Sequence, residues 1–234
     1  MAALYIPYFA IRGKTVENIL IYAETIKHLT RVLGITWTLR GAESLMENKS
    51  FIIIANHQTS VDIMGMFNIW HVIQSMTVIA KKELLYAGPF GIAAYLSGLI
   101  FIDRHSSKGK ETMNQAMEVL KKNNTKLWIF PEGTRRNTGE IHNFKKGAFH
   151  TAIQYEIPII PIVFSSYRHF LDDKNKKFDE GEIILTVLPT IKTKGLKLSD
   201  IDELMEKTKK EMTLVYKKIS DEAAENLKQS KNKL

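Results

Sequence analysis

Residues 51–70 read FIIIANHQTSVDIMGMFNIW. Phe51 to Ala55 are apolar on consecutive positions, which suits a strand buried on both faces. From about residue 60 the chain reads as a helix, predicted over 60–69. The seven residues Asn56-His57-Gln58-Thr59-Ser60-Val61-Asp62 make the turn between them. A strand passing straight into a helix is the repeating unit of an α/β sheet.

Outward from this unit the same alternation continues. Strands are predicted at 35–40, 51–55, 76–80, 99–102, 126–130, 157–164 and 183–188. Helices fall at 84–96, 108–122 and 146–155, with a long one near 200–228. The expected fold is α/β, a mostly buried central sheet of about seven strands flanked by helices. Residues 1–34 read as an N-terminal membrane-proximal helical element and 35–234 as one α/β domain with a C-terminal helix. MAALYIPYFAI (Met1–Ile11) is uncharged and shorter than the roughly 20 residues a bilayer span needs. Thr15 to Leu33 has an apolar stripe that fits either a core face or a membrane face. The nineteen residues Leu84 to Ile102 carry no charge, so they fit a membrane span. Their glycines at 88, 91 and 98 and Pro89 fit a buried helix running into a buried strand as well.

Of 234 residues, 44% are apolar and 25% charged, which excludes disorder, collagen and coiled coil as readings of the whole chain. The absence of cysteine excludes disulfides, thiolate metal sites and a cysteine nucleophile. With 33 basic and 25 acidic residues, the net charge of +8 points to an anionic partner. Most of the excess lies in 104–146, where ten Lys/Arg face four acids. A nucleic-acid-binding domain would explain the charge, but no nucleic-acid fold signature accompanies it.

Three motifs carry candidate chemistry. His57 follows a strand, where α/β proteins place their sites. The turn can bring the Asp62 carboxylate to one ring nitrogen, leaving the other to accept a proton. Thr59 or Ser60 would cap the helix, and the backbone N–H groups at its start are candidates for an oxyanion hole. Taken alone, the pair also fits a histidine that only caps or packs. Phe130-Pro131-Glu132-Gly133-Thr134-Arg135-Arg136 also follows a strand and can cradle a phosphate. There Gly133 would permit close approach, Thr134 would donate a hydroxyl, Arg135 would grip bidentately, and Glu132 would orient the arginine. The same turn fits an ordinary charged loop. GLIFIDR (Gly98–Arg104) is a third strand that delivers an arginine at its end, and IPIIPIVF (Ile157–Phe164) reads as scaffold.

NHQTSVD, GLIFIDR, FPEGTRR and IPIIPIV, in that order and spacing, resemble the four blocks of the glycerolipid acyltransferase family. AKKELLYAGPFG, FKKGAFHTAI and IVFSSY resemble its eukaryotic 1-acylglycerol-3-phosphate acyltransferase branch, and the likeness runs from Ile6 to Ile219. The resemblance implies transfer of an acyl group from acyl-CoA to the sn-2 hydroxyl of lysophosphatidic acid at the endoplasmic reticulum membrane. It makes His57 the base, Asp62 its partner, and Glu132, Gly133, Thr134 and Arg135 the acceptor's phosphate site, with Arg104 and Lys81 nearby. It also implies that the first residues are the remnant of a longer hydrophobic anchor. Acyl-CoA is then a co-substrate, with no cofactor, metal, nucleic acid or obligate protein partner expected, and with a lipid surface as the place of work. Glycerol 3-phosphate or another lysophospholipid remains open as the acceptor, and so does a non-catalytic lipid-binding protein.

Overall fold

The computed structural model describes residues 2–103, 108–172 and 175–232. Seven strands form one sheet: β1 (Ile35–Arg40), β2 (Ile52–Ala55), β3 (Met76–Lys81), β4 (Ile100–Ile102), β5 (Lys126–Ile129), β6 (Ile159–Phe164) and β9 (Gly181–Val187). Leu171–Asp172 (β7) and Lys177–Phe178 (β8) make a small separate hairpin. The helices are α1 (Ala2–Arg12), α2 (Asn18–Val32), α3 (Val61–Ile73), α4 (Pro89–Leu96), α5 (Lys108–Lys122), α6 (Gly147–Gln154) and α7 (Ile201–Lys231).

The order across the sheet is β1-β9-β6-β2-β5-β3-β4. Every pairing in it is parallel except β6 with β9. A parallel return needs a crossover, usually a helix. Among the described residues, the connection between β6 and β9 has only the β7–β8 hairpin, and β9 returns antiparallel.

Consecutive apolar residues in the strands serve two cores. Ile53 and Ala55 pack on one face with Trp70, Trp128, Ile162 and Phe164, under α2 and α3. Ile52 and Ile54 pack on the other with Leu127, Phe149, Met212 and Ile219, under α5, α6 and α7. All four β2 residues are buried, as a central strand with two covered faces requires. The stripe on α2 faces the core, with Ile19 and Ala23 buried against the first cluster.

The uncharged stretch from Leu84 does not form one long helix. It divides into a 3-10 turn (Lys82–Tyr86), the eight-residue α4, and β4. Glycine decides this. A Cβ at Gly91 would collide with the Leu85 carbonyl oxygen, and Gly98 takes φ +74°, a left-handed conformation that ends the helix. The spanning alternative is thereby corrected, and among the described residues no helix is long and apolar enough to cross a membrane. Helix α1 docks beside α4, and the start of α2 is tied to the same helix: Thr15 N–H, just before α2, donates to the Leu96 carbonyl, and the Asn18 amide reaches the same oxygen at 2.9 Å.

Candidate active site

Because β2, β5, β3 and β4 are parallel neighbours, their C-terminal ends line one edge of the sheet. His57 leaves β2 there, the Glu132–Arg135 loop leaves β5, and Lys81 ends β3 as an exposed side chain. At a strand spacing of about 4.8 Å, Lys81 lies two strands from His57 along this edge. Arg104, which follows β4, lies outside the described residues.

Asn56 ends β2 by continuing its ladder with a side chain. Its amide donates to the Phe164 carbonyl at 3.1 Å, and its oxygen accepts from the Phe164 N–H at 2.8 Å. The backbone is thus released to turn while β6 stays paired. His57 follows, half-buried, with its ring stacked on Phe130 at a centroid distance of 3.9 Å and 13° between planes. Its Nδ1 lies 2.7 Å from Asp62 Oδ2.

Asp62 is fully buried in the first turn of α3. Besides the His57 ring, Oδ2 accepts the N–H groups of Gln58 at 2.7 Å and Thr59 at 2.9 Å. Oδ1 accepts the Tyr167 hydroxyl at 2.5 Å. Four donors satisfy a buried carboxylate that would otherwise be costly. The Asp62 oxygen fixes the proton on Nδ1 and leaves Nε2 as the basic nitrogen of the neutral ring. Of the backbone amides that are candidates for an oxyanion hole, those of Gln58 and Thr59 are taken up by Asp62, and that of Val61 donates to Thr59 Oγ1 at 2.9 Å. Thr59, not Ser60, supplies the local hydroxyl cap, since Ser60 at the N-cap makes no side-chain bond to the helix backbone.

Three contacts join the His57 turn to the loop after β5. The His57 N–H donates to Glu132 Oε1 at 2.7 Å, and the Arg136 N–H donates to the His57 carbonyl at 3.1 Å. Arg135 Nη1 donates to Ser60 Oγ at 2.5 Å. Glu132 is buried, and its second oxygen accepts the His142 N–H at 3.1 Å. The expected Glu132–Arg135 pairing is therefore corrected: both carboxylate oxygens hold backbone, and the arginine reaches across to the start of α3. Burial pushes the Glu132 carboxyl upward, against the two amides and the His57 ring, which pull it down. Gly133 takes φ +70°, and a Cβ there would press on the Lys145 side chain at 2.9 Å. Thr134 and Arg135 are exposed.

Tyr167 and Tyr216 were invisible as site residues in the sequence. Tyr167 follows β6 and is completely buried, so burial and the Asp62 charge hold its phenol well above the usual range, as an O–H donor. Tyr216 on α7 donates to Gln58 Oε1 at 3.1 Å, while the Gln58 amide donates to the Ser165 carbonyl at 2.9 Å. The IVFSSY motif, Ile162–Tyr167, contains the first of these tyrosines.

Acyl transfer is the chemistry of the family to which this chain belongs: the family profile described as Acyltransferase matches residues 36–165, from within β1 to the residue after β6. Named relatives narrow the class. The 1-acyl-sn-glycerol-3-phosphate acyltransferase alpha of Bos taurus is 39% identical over 222 residues, 94% of this chain and 76% of its own length. The 1-acyl-sn-glycerol-3-phosphate acyltransferase of Saccharomyces cerevisiae is 38% identical over 210 residues, 88% of this chain and 68% of its own. In fold, the chain is similar to the crystal structure of the 1-acyl-sn-glycerophosphate (LPA) acyltransferase PlsC from Thermotoga maritima, with a TM-score of 0.62 and 21% identity. That match covers 90% of this chain and 94% of the other.

Proposed function

We propose that this chain transfers a fatty acyl group from acyl-CoA to the sn-2 hydroxyl of 1-acyl-sn-glycerol 3-phosphate, giving phosphatidic acid. The observation that carries the reading is the His57–Asp62 pair at 2.7 Å, at the end of the central strand, in a chain 39% identical to a 1-acyl-sn-glycerol-3-phosphate acyltransferase. His57 Nε2 takes the proton of the sn-2 hydroxyl as its oxygen attacks the thioester carbonyl carbon. The tetrahedral intermediate collapses, the C–S bond breaks, and the imidazolium returns its proton to the departing CoA thiolate. Asp62 stabilises the imidazolium between the two transfers. Both substrates are used up stoichiometrically, so this chemistry needs no resident cofactor.

Arg135 holds the acceptor's phosphate, with Gly133 and Thr134 supporting the loop, Lys81 adding positive charge along the sheet edge, and Arg104 serving the same phosphate. Glu132 serves this site by fixing the loop to the His57 backbone. The work is done at a lipid surface, in a eukaryotic cell that of the endoplasmic reticulum. Exposed apolar side chains of α1 (Leu4, Tyr8, Ile11) and of the α4 region (Tyr86, Phe90, Ile92) support this membrane reading.

The decisive test is an assay with radiolabelled acyl-CoA across lysophosphatidic acid, glycerol 3-phosphate, lysophosphatidylcholine and lysophosphatidylethanolamine. Phosphatidic acid is the expected product. Preference for any other acceptor overturns the assignment.

A further inference from the structure

The His57 ring is held in two different ways, and the carboxylate supplies only one of them. Asp62 Oδ2 meets a single ring atom, Nδ1, at 2.7 Å. A hydrogen bond tolerates a broad range of angles, so on this contact alone the ring can still tilt and carry Nε2 with it. Phe130 removes that freedom. Its ring lies flat against the imidazole, with centroids 3.9 Å apart and 13° between the planes.

Phe130 is itself braced from the core. Trp128 meets it edge-on at 5.8 Å and 66°, and Trp128 in turn meets Phe164 at 6.1 Å and 62°. Trp128 and Phe164 are buried, and a close-packed interior leaves such rings little room to give way. Strand pleating builds this column. Trp128 pairs with Ile53 in the β2–β5 register. Phe130, two residues on, falls on the same face of the sheet, one residue past the Ile54–Ile129 pair. His57 leaves the neighbouring strand at the same end, two residues beyond Ala55. The rings therefore run from the core under α2 and α3 to the base.

We propose that Phe130 is a positioning residue for the base. Its ring holds the imidazole at the tilt that aims Nε2 at the acceptor hydroxyl, and its face stabilises the imidazolium once the proton has arrived. The proposal rests on the acyltransferase reading above for the proton that His57 takes. Proton transfer needs the two heavy atoms within hydrogen-bond reach, and a misplacement of about 1 Å costs about 10²-fold in rate. A cation over an aromatic face is attracted by the ring quadrupole. An aliphatic side chain of similar size fills the space but supplies neither the flat surface nor the quadrupole. The other titratable and charged groups around the ring lie on four elements. They are Asp62 on α3, Tyr167 after β6, Lys81 at the end of β3, and Glu132, Arg135 and Arg136 in the loop after β5. All of them stay in place when Phe130 alone is changed.

The test compares Phe130→Leu with Phe130→Tyr, which keeps the ring. Proton NMR of the full chain in detergent micelles follows the His57 ring protons against pH, with His57→Ala assigning the signal. Phe130→Leu should lower the proton affinity of His57 by about 2–30-fold, the worth of a cation over a ring face, so the titration moves to lower pH. The acid limb of the kcat/KM profile should move with it. Its kcat should fall by about 10-fold or more, with KM for both substrates unchanged. Phe130→Tyr should recover most of both losses. Phe130→Met, which fills space flexibly, repeats the test if the leucine variant fails to fold. A wild-type His57 titration in folded Phe130→Leu overturns the proposal. So does a kcat loss that tyrosine does not recover, which would mean packing alone, and so does a rise in either KM, which would make Phe130 a substrate contact. The titration needs no substrate. If wild-type protein acylates some other acceptor, the acceptor assignment falls while the titration still decides the role of Phe130.

Discussion

The Tyr167 hydroxyl donates to Asp62 Oδ1 at 2.5 Å, while the other carboxylate oxygen faces His57 Nδ1 at 2.7 Å. Tyr167 therefore acts on the base through Asp62. Tyr167→Phe removes the donor and little volume. With one donor fewer, Asp62 should concentrate more negative charge on the His57 side, favouring the imidazolium. The acid limb of the kcat/KM profile should then move to higher pH. A hydrogen bond to a charged group is worth about 1.5–3 kcal/mol, so the variant should lose stability of that order. A pH–rate profile identical to that of wild type, accompanied by a lower melting temperature, would assign Tyr167 to packing alone.

For the base itself, His57→Ala should lower kcat by about 10²–10⁴-fold, the usual worth of general base catalysis. Donor binding should survive. Asp62→Asn should be severely impaired as well, because an amide that donates to Nδ1 leaves the proton on the wrong nitrogen. Asp62 also accepts the Gln58 and Thr59 amides, so this variant should lose stability where His57→Ala loses little. Steady-state kinetics beside thermal melts will separate the two effects. Near-normal turnover in folded His57→Ala would remove it as the base.

The seven strands of the sheet were legible because a strand with two covered faces writes itself as consecutive apolar residues, as in FIII and IPIIPIVF. The β7–β8 hairpin was not, because each strand is two residues long and neither is buried. The stretch 84–102 admitted two readings, a span and a helix running into a strand, because a hydropathy window sees composition and is blind to the backbone freedom of Gly91 and Gly98; the second is the one the fold adopts, as α4 and β4. His57 and Asp62 are five residues apart and so could be paired by local geometry. Tyr167 is 105 residues from Asp62, and its place depends on β6 lying beside β2. Glu132 was misassigned for the same reason: its neighbour in sequence is Arg135, but its neighbour in space is the His57 amide.

Glu132 gives a pH prediction. Its carboxyl is raised from the ordinary value of 4.5, chiefly by burial. The folded state thus holds this proton more tightly than the unfolded state. Its contribution to stability is fully present below 4.5 and is lost as pH rises through the raised folded value. Glu132→Gln does not titrate. It also turns one acceptor into a donor facing a buried amide, so it should be less stable by about 1–3 kcal/mol. Denaturant unfolding across this window should show the wild-type advantage over Glu132→Gln shrinking as pH rises. An advantage that grows with pH would mean that the two amides outweigh burial.

Arg135→Ala should raise KM for lysophosphatidic acid by about 10–150-fold, the equivalent of a lost charge-assisted contact of roughly 1.5–3 kcal/mol, and leave KM for acyl-CoA nearly unchanged. Arg135→Lys should recover only part, since an ammonium keeps the charge and loses the planar fork. Because Arg135 also donates to Ser60, Ser60→Ala is the control for positioning. It should raise the acceptor KM less than Arg135→Ala does. Equal loss for both substrates, with a lowered melting point, would make the arginine a structural clasp between the two loops.

The last prediction concerns the lipid surface. Helix α1 buries Phe9 and leaves Leu4, Tyr8 and Ile11 exposed at helical spacing, with Ile11 at 87% and Leu4 at 78%. Helix α1 packs against α4, whose Phe90 and Ile92 are also exposed, and Tyr86 just before it is 74% exposed. Large apolar side chains gathered on two touching helices gain roughly 1.5–3 kcal/mol each on full removal from water. The net charge of +8 adds attraction to anionic lipid. The chain should therefore float with phosphatidylserine vesicles at low salt, and less with neutral ones. Ile11→Glu combined with Phe90→Glu should abolish flotation, since both positions are exposed and the fold should tolerate charge there. The same double variant should still acylate a short-chain lysophosphatidic acid dissolved as monomer, because His57 and Arg135 lie on other elements. Its rate on vesicle-borne acceptor should drop sharply. Unimpaired flotation of the double variant would move the lipid contact elsewhere on the molecule, and equal loss on both substrates would show that the two helices support the site rather than the surface.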